Sequence, residues 1–191
     1  MCSSDLMRLW PVLSGTQEWT WIVGGAGVCT LLRPESRGHV RIKSADPRQA
    51  PAIHPNYLAA RKDRETLVEG VKAIRRIIAA PAMATHIAEE MEPGPACASD
   101  DAILDYIRHR GSTVYHPVST CRMGQDANAV VDERLRVRGF TGLRVIDASI
   151  MPMVVSGNTN AATIMIGEKG ADMVLEDAKT AQNAAALSPA T

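Results

Sequence analysis

The chain has 191 residues, 46% of them hydrophobic, and its 21 basic and 21 acidic side chains give a net charge of zero. This length suffices for one domain, or a domain and a fraction, with a real core, and the balanced charge gives no sign of a nucleic-acid or anionic-membrane partner. The four cysteines are scattered without metal-ligand spacing and no apolar run is long enough to cross a bilayer, so we expect no metal site, no transmembrane segment and a reducing, cytoplasmic location, with peripheral membrane association left open.

The first residues of the chain look artificial. Met1 to Leu6 match what one reading frame of a common sequencing-adaptor oligonucleotide encodes, so we interpret 1–23 as a remnant, with a loop over 7–18, that starts inside a longer gene. Gly24 to Gly27 follow an apolar run, as in the glycine-rich loop of a dinucleotide site, but Thr30 stands where that motif has its third glycine. Strand-like sequence follows where such a loop needs a helix N-terminus, so a structural turn is the favoured interpretation.

The next part of the chain predicts strands. Residues 28–33 and 39–43 are typical of strands on either side of a hairpin-like turn at 34–38. A proline-punctuated loop follows over 46–55.

Two helices are predicted after this loop. Apolar residues recur at spacings of three and four over 64–80, which gives this helix one buried face, and Asp63 stands at its capping position. The second helix covers 100–109, with Ser99 as its cap and Gly111 as its end.

Shorter elements are predicted towards the C-terminus. Residues 130–132 and 135–137 are typical of short extended segments, and 143–146 of a buried strand. The final helix is expected over 159–177, and the residues after Lys179 are expected to be flexible.

Two polar segments carry the candidate chemistry. The segment 115–124 reads Tyr-His-Pro-Val-Ser-Thr-Cys-Arg-Met-Gly, and its His116 is the best candidate for a proton-transfer group, because histidine titrates near neutrality. The alternative is a buried histidine that only holds the loop together. The segment 156–163 reads Ser-Gly-Asn-Thr-Asn-Ala-Ala-Thr, and Asn158 before an apolar helix fits either a helix cap or an amide donor to a substrate oxygen.

Three segments together resemble the C-terminal part of the glucose–methanol–choline (GMC) family of FAD-dependent oxidoreductases, on the choline and alcohol dehydrogenase branch. Family members carry a very similar His-Pro-x-x-Thr-Cys-Arg-Met-Gly stretch, then Leu-Arg-Val-x-Asp-Ala-Ser, then Asn-x-Asn-x-x-Thr at the start of a long helix. The matching stretches here begin at His116, Leu143 and Asn158. Ser119 stands where glycine is frequent in the family, and Ala162 where proline is frequent.

The resemblance implies an α+β fold, with an antiparallel or mixed substrate-domain sheet covered by helices and a C-terminal strand and helix that belong to an incomplete FAD-binding domain. The implied division is a remnant over 1–23, a substrate-binding domain over 24–138, the strand and helix over 139–178 and a flexible tail over 179–191. The N-terminal FAD-binding half is then a missing partner, and the glycine-rich loop for the FAD phosphates is missing with it. A homo-oligomer is left open.

The resemblance also implies roles for individual residues. His116 would assist removal of the hydroxyl proton of a primary alcohol, choline-like or other, while hydride passes to FAD and an aldehyde forms. Asn158 matches the second polar catalytic position. The cofactor-binding positions implied are Asp147, Ala148, Thr159, Asn160 and Thr163.

Other functions stay open on the residues alone. The chain could be a non-catalytic binding or structural domain, or a hydrolase that pairs Cys121 or Ser119 with His116, although it has no Gly-x-Ser-x-Gly motif. If the flavin interpretation holds, His116 and Asn158 converge, and the last strand and helix expose apolar residues that the missing half would cover. The residues expected to be exposed are among Val145, Ile146, Ile164, Met165 and Met173.

Overall fold

The computed structural model describes residues 9–12, 20–23 and 27–187, with side chains described from 27 to 183. The chain divides into two units, Met1–Leu31 with Leu58–Gly111 and Leu32–Tyr57 with Ser112–Thr191. The interpretation of 1–6 as artificial and part of the predicted turn at Gly24 to Gly27 lie outside the described residues. The domain boundaries predicted from the sequence stay predictions.

The first unit begins with a strand pair. Strand β1, Leu9–Val12, lies antiparallel to strand β2, Thr20–Val23, with Leu9 opposite Val23. The loop predicted over 7–18 is therefore wrong for β1. Apolar and β-branched residues such as those of β2 favour extended backbone, and the partner strand gives their backbone groups hydrogen bonds.

Three helices complete the first unit. Helix α1 spans Arg61–Ile78, and Ala60, not Asp63, precedes its first turn. The predicted cap is wrong because Asp63 lies inside that turn, where it is only 2% exposed. A carboxylate in the first turn stabilises the helix, because the helix N-terminus is positive. Helix α2 spans Pro81–Ala84.

Helix α3 spans Asp100–Arg110 and packs against α1. Its cap is confirmed, because the Ser99 hydroxyl accepts a hydrogen bond from the Ala102 amide at 3.2 Å. Gly111 follows the last helical residue, as predicted, and its amide donates to Ile107 O at 2.8 Å.

Arg75 on α1 fixes the segment between α2 and α3. Its guanidinium donates to Cys97 O at 2.8 Å and to Gly94 O at 3.0 Å, and it pairs with Glu90 at 2.8 Å. The Arg75 and Glu90 side chains are only 22% and 21% exposed. The conformation of the segment between α2 and α3 therefore depends on the partly buried guanidinium of Arg75.

The second unit contains another antiparallel pair. Strand β3, His39–Arg41, pairs with strand β4, Ala52–His54, so that His39 lies opposite His54. The predicted strand over 28–33 does not form, and β4 lies inside the predicted loop. Asp46 explains the correct pairing, since its carboxylate accepts from the Arg48 amide at 3.0 Å and its carbonyl from the Gln49 amide at 3.1 Å, which turns the chain back on itself.

The core of the second unit lies between short extended segments and the last helix. Its buried members are Val131, Leu135, Ile150, Met151 and Ile166. Val131 forms single bridges with Met123 and with Val137, so the extended segments predicted over 130–132 and 135–137 come together here. The strand predicted over 143–146 is reduced to one bridge, between Arg144 and Arg136.

Helix α4 spans Asn160–Leu187 and extends beyond the predicted end at residue 177. Ile166 enters the core, while Ile164 and Met165 are 58% and 57% exposed, which confirms the expected exposure for these two positions. The other three positions named for this surface pack against the core instead: Val145, Ile146 and Met173.

The second unit also contains a 3₁₀ turn, Ala148–Ile150, which packs against α4. Helices with small antiparallel sheets confirm the α+β class in its coarse form, and the assignment of 139–178 to an FAD domain stays a prediction. In the described part of the chain, no helix is both long and apolar enough to cross a membrane.

Candidate active site

Hydrogen bonds join the loop that carries His116 to the 3₁₀ turn. They alternate along the loop: Ser119 Oγ donates to Met151 O at 2.7 Å, Cys121 N to Ser149 O at 3.1 Å and Met123 N to Ile150 O at 2.8 Å. Side chains reinforce this attachment, because Val118 packs against the buried core that contains Ile150 and Met151. The loop is therefore irregular in backbone but fixed in position.

The backbone of this loop takes the left-handed conformation at two positions. The φ angle is +58° at Tyr115 and +74° at Ser119, and this region disfavours residues with a side chain. The second value gives a physical reason for the frequent glycine of the family at this position. The Ser119 hydroxyl offsets part of the strain through its bond to Met151 O.

His116 lies between these two positions and is half-buried. Within residues 27–187 no hydrogen bond or ion pair to its ring is found, which leaves both ring nitrogens available to a ligand. The alternative role, a histidine that holds the loop together, gains no support, because Ser119, Cys121 and Met123 make the bonds that do so.

Asp147 and Ala148 begin the 3₁₀ turn. Asp147 is exposed and its carboxylate accepts from the Ser149 amide at 2.7 Å, so its visible role is to cap the turn. Ala148 is half-buried and packs against the same core as Val118. Their contact with a cofactor stays a prediction.

The turn before α4 contains the second predicted catalytic residue. Thr159, not Asn158, directly precedes the helix, and it is only 8% exposed. Both the amide and the hydroxyl of Thr163 donate to Thr159 O, at 2.9 Å and 2.8 Å, so the Thr163 hydroxyl proton is already used. Asn158 and Asn160 are exposed on either side of Thr159. The amide of Asn158 is thus outside the helix and can serve a ligand.

An arginine that the sequence analysis did not single out supports this turn. Arg33 Nε donates to Ser156 Oγ at 2.8 Å, and the following peptide is tightened by a bond from Gly157 N to Val155 O at 2.8 Å. Arg33 lies before β3, and no local pattern in the sequence indicates a contact with a residue so distant from it. Only the fold could reveal this contact.

The three predicted segments share one scaffold. Val118 from the loop, Ala148 from the 3₁₀ turn and Ala162 from α4 all pack against the buried cluster that contains Ile150 and Ile166. The structure therefore brings the segments onto one core. The convergence of the His116 and Asn158 side chains in a shared pocket stays a prediction.

An ion-pair network attaches α4 to the segments that contain Arg134 and Arg144. Arg134 donates to Asp177 at 2.8 Å and to Glu176 at 3.1 Å, and Arg144 also pairs with Asp177. Partial desolvation works to raise the pKa of the Asp177 carboxyl, but the two guanidinium charges outweigh it and hold the pKa below its usual range. These ion pairs attach α4 near Asp177 to the segments that carry Arg134 and Arg144.

The serine form of the hydrolase alternative, with Ser119 as nucleophile, conflicts with the geometry. A nucleophilic serine needs a base that accepts its hydroxyl proton. The Ser119 proton is instead donated to the Met151 carbonyl at 2.7 Å. Ser119 therefore acts as a structural donor.

The family is decided by comparison with known proteins. A family model described as GMC oxidoreductase matches residues 34–167, which contain all three segments of the site. The chain belongs to the GMC oxidoreductase family. This confirms the resemblance inferred from the motifs.

Relatives of this GMC chain include an alcohol dehydrogenase and a choline dehydrogenase. An alcohol dehydrogenase (acceptor) from Pseudomonas putida is 53% identical over 148 residues, which are 78% of this chain and 27% of that protein. An oxygen-dependent choline dehydrogenase from Cronobacter sakazakii is 48% identical over 143 residues, 75% of this chain and 26% of that protein. The chain therefore spans about a quarter of the length of these relatives.

Among solved structures, an FAD-dependent oxidoreductase from Chaetomium thermophilum superposes with a TM-score of 0.73 at 30% identity, over 78% of this chain and 26% of that one. FAD is the cofactor of the GMC family, as the resemblance implied.

Proposed function

We propose that this chain is the part of an FAD-dependent alcohol oxidoreductase that holds the reacting end of the substrate. The reaction is the oxidation of a primary alcohol, choline-like or other, to an aldehyde. The observation that carries the proposal is the attachment of the His116 loop to the 3₁₀ turn by the bonds from Ser119, Cys121 and Met123, on the core that also supports the start of α4.

The donor groups at the start of α4 suit a flavin ring. The amides of the first turn of a helix have no partner within the helix, and the helix N-terminus is positive. In α4 this end belongs to a helix of 28 residues and carries the exposed Asn160. Such donors favour the electron-rich carbonyl edge of the ring and the negative charge that accumulates there.

FAD would be held at this end by residues of the two neighbouring segments. The positions we assign to it are Asp147, Ala148, Thr159, Asn160 and Thr163. Because both polar groups of Thr163 are bonded to Thr159 O, Thr163 would act by shaping the first turn of the helix. When bound, FAD supplies the acceptor for the hydride of the alcohol carbon.

The chain's own residues handle the proton and the oxygen of the alcohol. A neutral His116 ring accepts the hydroxyl proton, and its lack of other partners among the described residues leaves a nitrogen available for this. The Asn158 amide donates a hydrogen bond to the same oxygen as negative charge develops on it. The attachment of the loop to the 3₁₀ turn keeps the backbone that carries the imidazole in place during the transfer.

The phosphates and the adenosine of FAD need a glycine-rich loop at a helix N-terminus. Residues 34–167 of this chain contain no such glycine-rich loop. We propose that another part of an intact enzyme provides it. The exposed Ile164 and Met165 of α4 would face that part.

A chimera tests this function. Residues 34–167 of this chain would replace the matching segment of the Pseudomonas putida alcohol dehydrogenase, which is 53% identical to this chain. The purified chimera should show the two flavin absorbance bands, and they should bleach when a primary alcohol is added without an electron acceptor. Flavin that stays oxidised with every primary alcohol tried, while the unmodified enzyme bleaches, would contradict the proposal.

A further inference from the structure

Two histidines face each other at the end of the β3–β4 pair, where β3 begins and β4 ends. His39 and His54 are directly opposite in the strand register. Their ring centres lie 4.8 Å apart with an angle of 29° between the ring planes. Both side chains are exposed, so both rings can reach a solute.

The spacing of these rings fits two imidazoles bound to one metal ion. A metal–nitrogen bond of about 2.0–2.1 Å places each ring centre about 3.2 Å from the ion. Two rings on one ion are then about 4.5 Å apart at a right angle and about 5.2 Å apart at the tetrahedral angle. The observed 4.8 Å lies between these values, but the two rings are stacked, with 29° between their planes. Each exposed ring must therefore turn about its Cβ–Cγ bond before one nitrogen of each can point to a common ion.

The side-chain amide of Asn56 provides a third possible metal ligand near the histidine pair. Its amide nitrogen donates to Arg37 O at 2.9 Å, which directs the amide oxygen away from that carbonyl. Asn56, His39 and His54 line the same open pocket, whose volume is about 410 Å³. The Arg37 guanidinium is bound to the preceding segment, because it donates to Pro34 O at 2.7 Å and to Ser36 O at 3.1 Å.

The backbone holds the pair at this spacing. A side chain on Gly38 would place its Cβ 2.1 Å from His54 O, so only glycine allows the chain segments to approach this closely. Asn56 has a φ of +55°, a conformation that asparagine tolerates better than most residues. The pocket is therefore built by specific residues on both sides of it.

We propose that His39 and His54 bind one divalent late first-row metal ion, such as Ni²⁺, Cu²⁺ or Zn²⁺, with the Asn56 oxygen and water as further ligands. Imidazole ligands select these ions over Mg²⁺ and Ca²⁺, which take oxygen ligands. Among the residues that the structure describes, no three His, Cys, Asp or Glu side chains converge on a metal-sized site, so this site depends on the imidazole pair.

Metal binding at this pair would join β3 to β4 and close the loop over 42–51. A ligand that binds only the folded chain raises its stability by mass action, and the free metal concentration would set the size of the effect. The site involves none of the residues assigned to FAD or to the alcohol.

Calorimetric titration of the full 191-residue chain with Ni²⁺ at near-neutral pH tests the proposal. We expect one Ni²⁺ site that is absent in His39→Phe and in His54→Phe, which retain strand-forming aromatic rings but no ligand nitrogen. His86→Ala is the matched control, since it removes an exposed histidine elsewhere, and it should keep the site. Mg²⁺ should not bind there, and Ni²⁺ should raise the melting temperature of the unmodified chain and of His86→Ala but not of the two phenylalanine variants.

The variants should give the same circular dichroism spectrum as the unmodified chain, because both histidines are exposed. A variant that loses this spectrum is replaced by His39→Gln, with the same expectation. Ni²⁺ binding of equal stoichiometry and affinity in the unmodified chain and in the phenylalanine variants would overturn the proposal, and so would a lack of Ni²⁺ binding by the unmodified chain.

Discussion

Ser119 allows a sharp test of how the His116 loop is held. It has two opposing properties, a hydroxyl bonded to Met151 O at 2.7 Å and a left-handed backbone with φ of +74°. Ser119→Ala removes the bond and keeps the strain, whereas Ser119→Gly removes both. We therefore expect alanine to destabilise the chain more than glycine does, although alanine is closer to serine in size.

The magnitudes follow from these two properties. Loss of the hydrogen bond costs about 1 kcal/mol, and about 2–3 kcal/mol if the Met151 carbonyl is left without any partner. The left-handed conformation costs a residue with a side chain about 1–2 kcal/mol relative to glycine. Ser119→Ala should thus lower the free energy of unfolding by at least about 1 kcal/mol, and Ser119→Gly should be about 1–2 kcal/mol more stable than Ser119→Ala.

Urea denaturation of the full chain, followed by circular dichroism, measures this difference. With a slope near 2 kcal/mol per molar urea, a difference of about 1 kcal/mol separates the two midpoints by about 0.5 M. Ser112 gives the matched control, because it is exposed and forms no side-chain hydrogen bond within the described residues, so neither its alanine nor its glycine variant should move the midpoint by this amount. Equal midpoints for Ser119→Ala and Ser119→Gly, or a lower one for glycine, would refute the reasoning.

Three further predictions concern the site and its supports. In the chimera, His116→Ala should slow flavin reduction by the alcohol by a factor of about 10²–10⁴ in stopped-flow measurements, and the exposed His109→Ala should not. The stability that Asp177 contributes is present above the ordinary carboxyl pKa near 4 and is lost as the pH falls through its lower folded pKa, so Asp177→Asn should flatten the fall of the urea midpoint with acidification. Arg75→Met should lower the free energy of unfolding by about 2 kcal/mol, because it leaves a partly buried carboxylate and two carbonyls without their donor, whereas the neighbouring, exposed Arg76→Met should be nearly neutral in the same denaturation series.

Local signals explain why the helices could be predicted. Ser99 and Gly111 mark the ends of α3 because capping depends on residues adjacent in sequence. Asp63 shows the limit of this logic, since a carboxylate stabilises the first turn of a helix as well as its cap, and its sequence position does not separate the two.

The strands were harder to predict, because pairing is decided by partners distant in sequence. Residues 143–146 have the composition of a strand, but only Arg144 finds a bridging partner among the described residues. β3 pairs forward with β4 and not back with 28–33, and the turn formed by Asp46 decides between these pairings.

In the candidate site, too, local motifs could be predicted from the sequence and contacts between distant residues could not. The motifs named His116 and Asn158, and the fold places their segments on one core. The contact of Arg33 with Ser156 had no signal in the sequence, since a side-chain bond between distant loops leaves no periodic or local pattern. The sequence hinted at the left-handed backbone of Ser119 only through the glycine that is frequent at this position in the family, and the structure shows the conformation itself.

The bonds from Cys121 and Met123 to the 3₁₀ turn have an evolutionary consequence. Both donors and both acceptors are backbone groups, so these two bonds do not depend on which side chains stand at 121 and 123. Substitutions at these two positions leave both backbone bonds to the 3₁₀ turn available. A protein lineage can in this way vary the side chains of the loop while the backbone that carries His116 keeps its attachment.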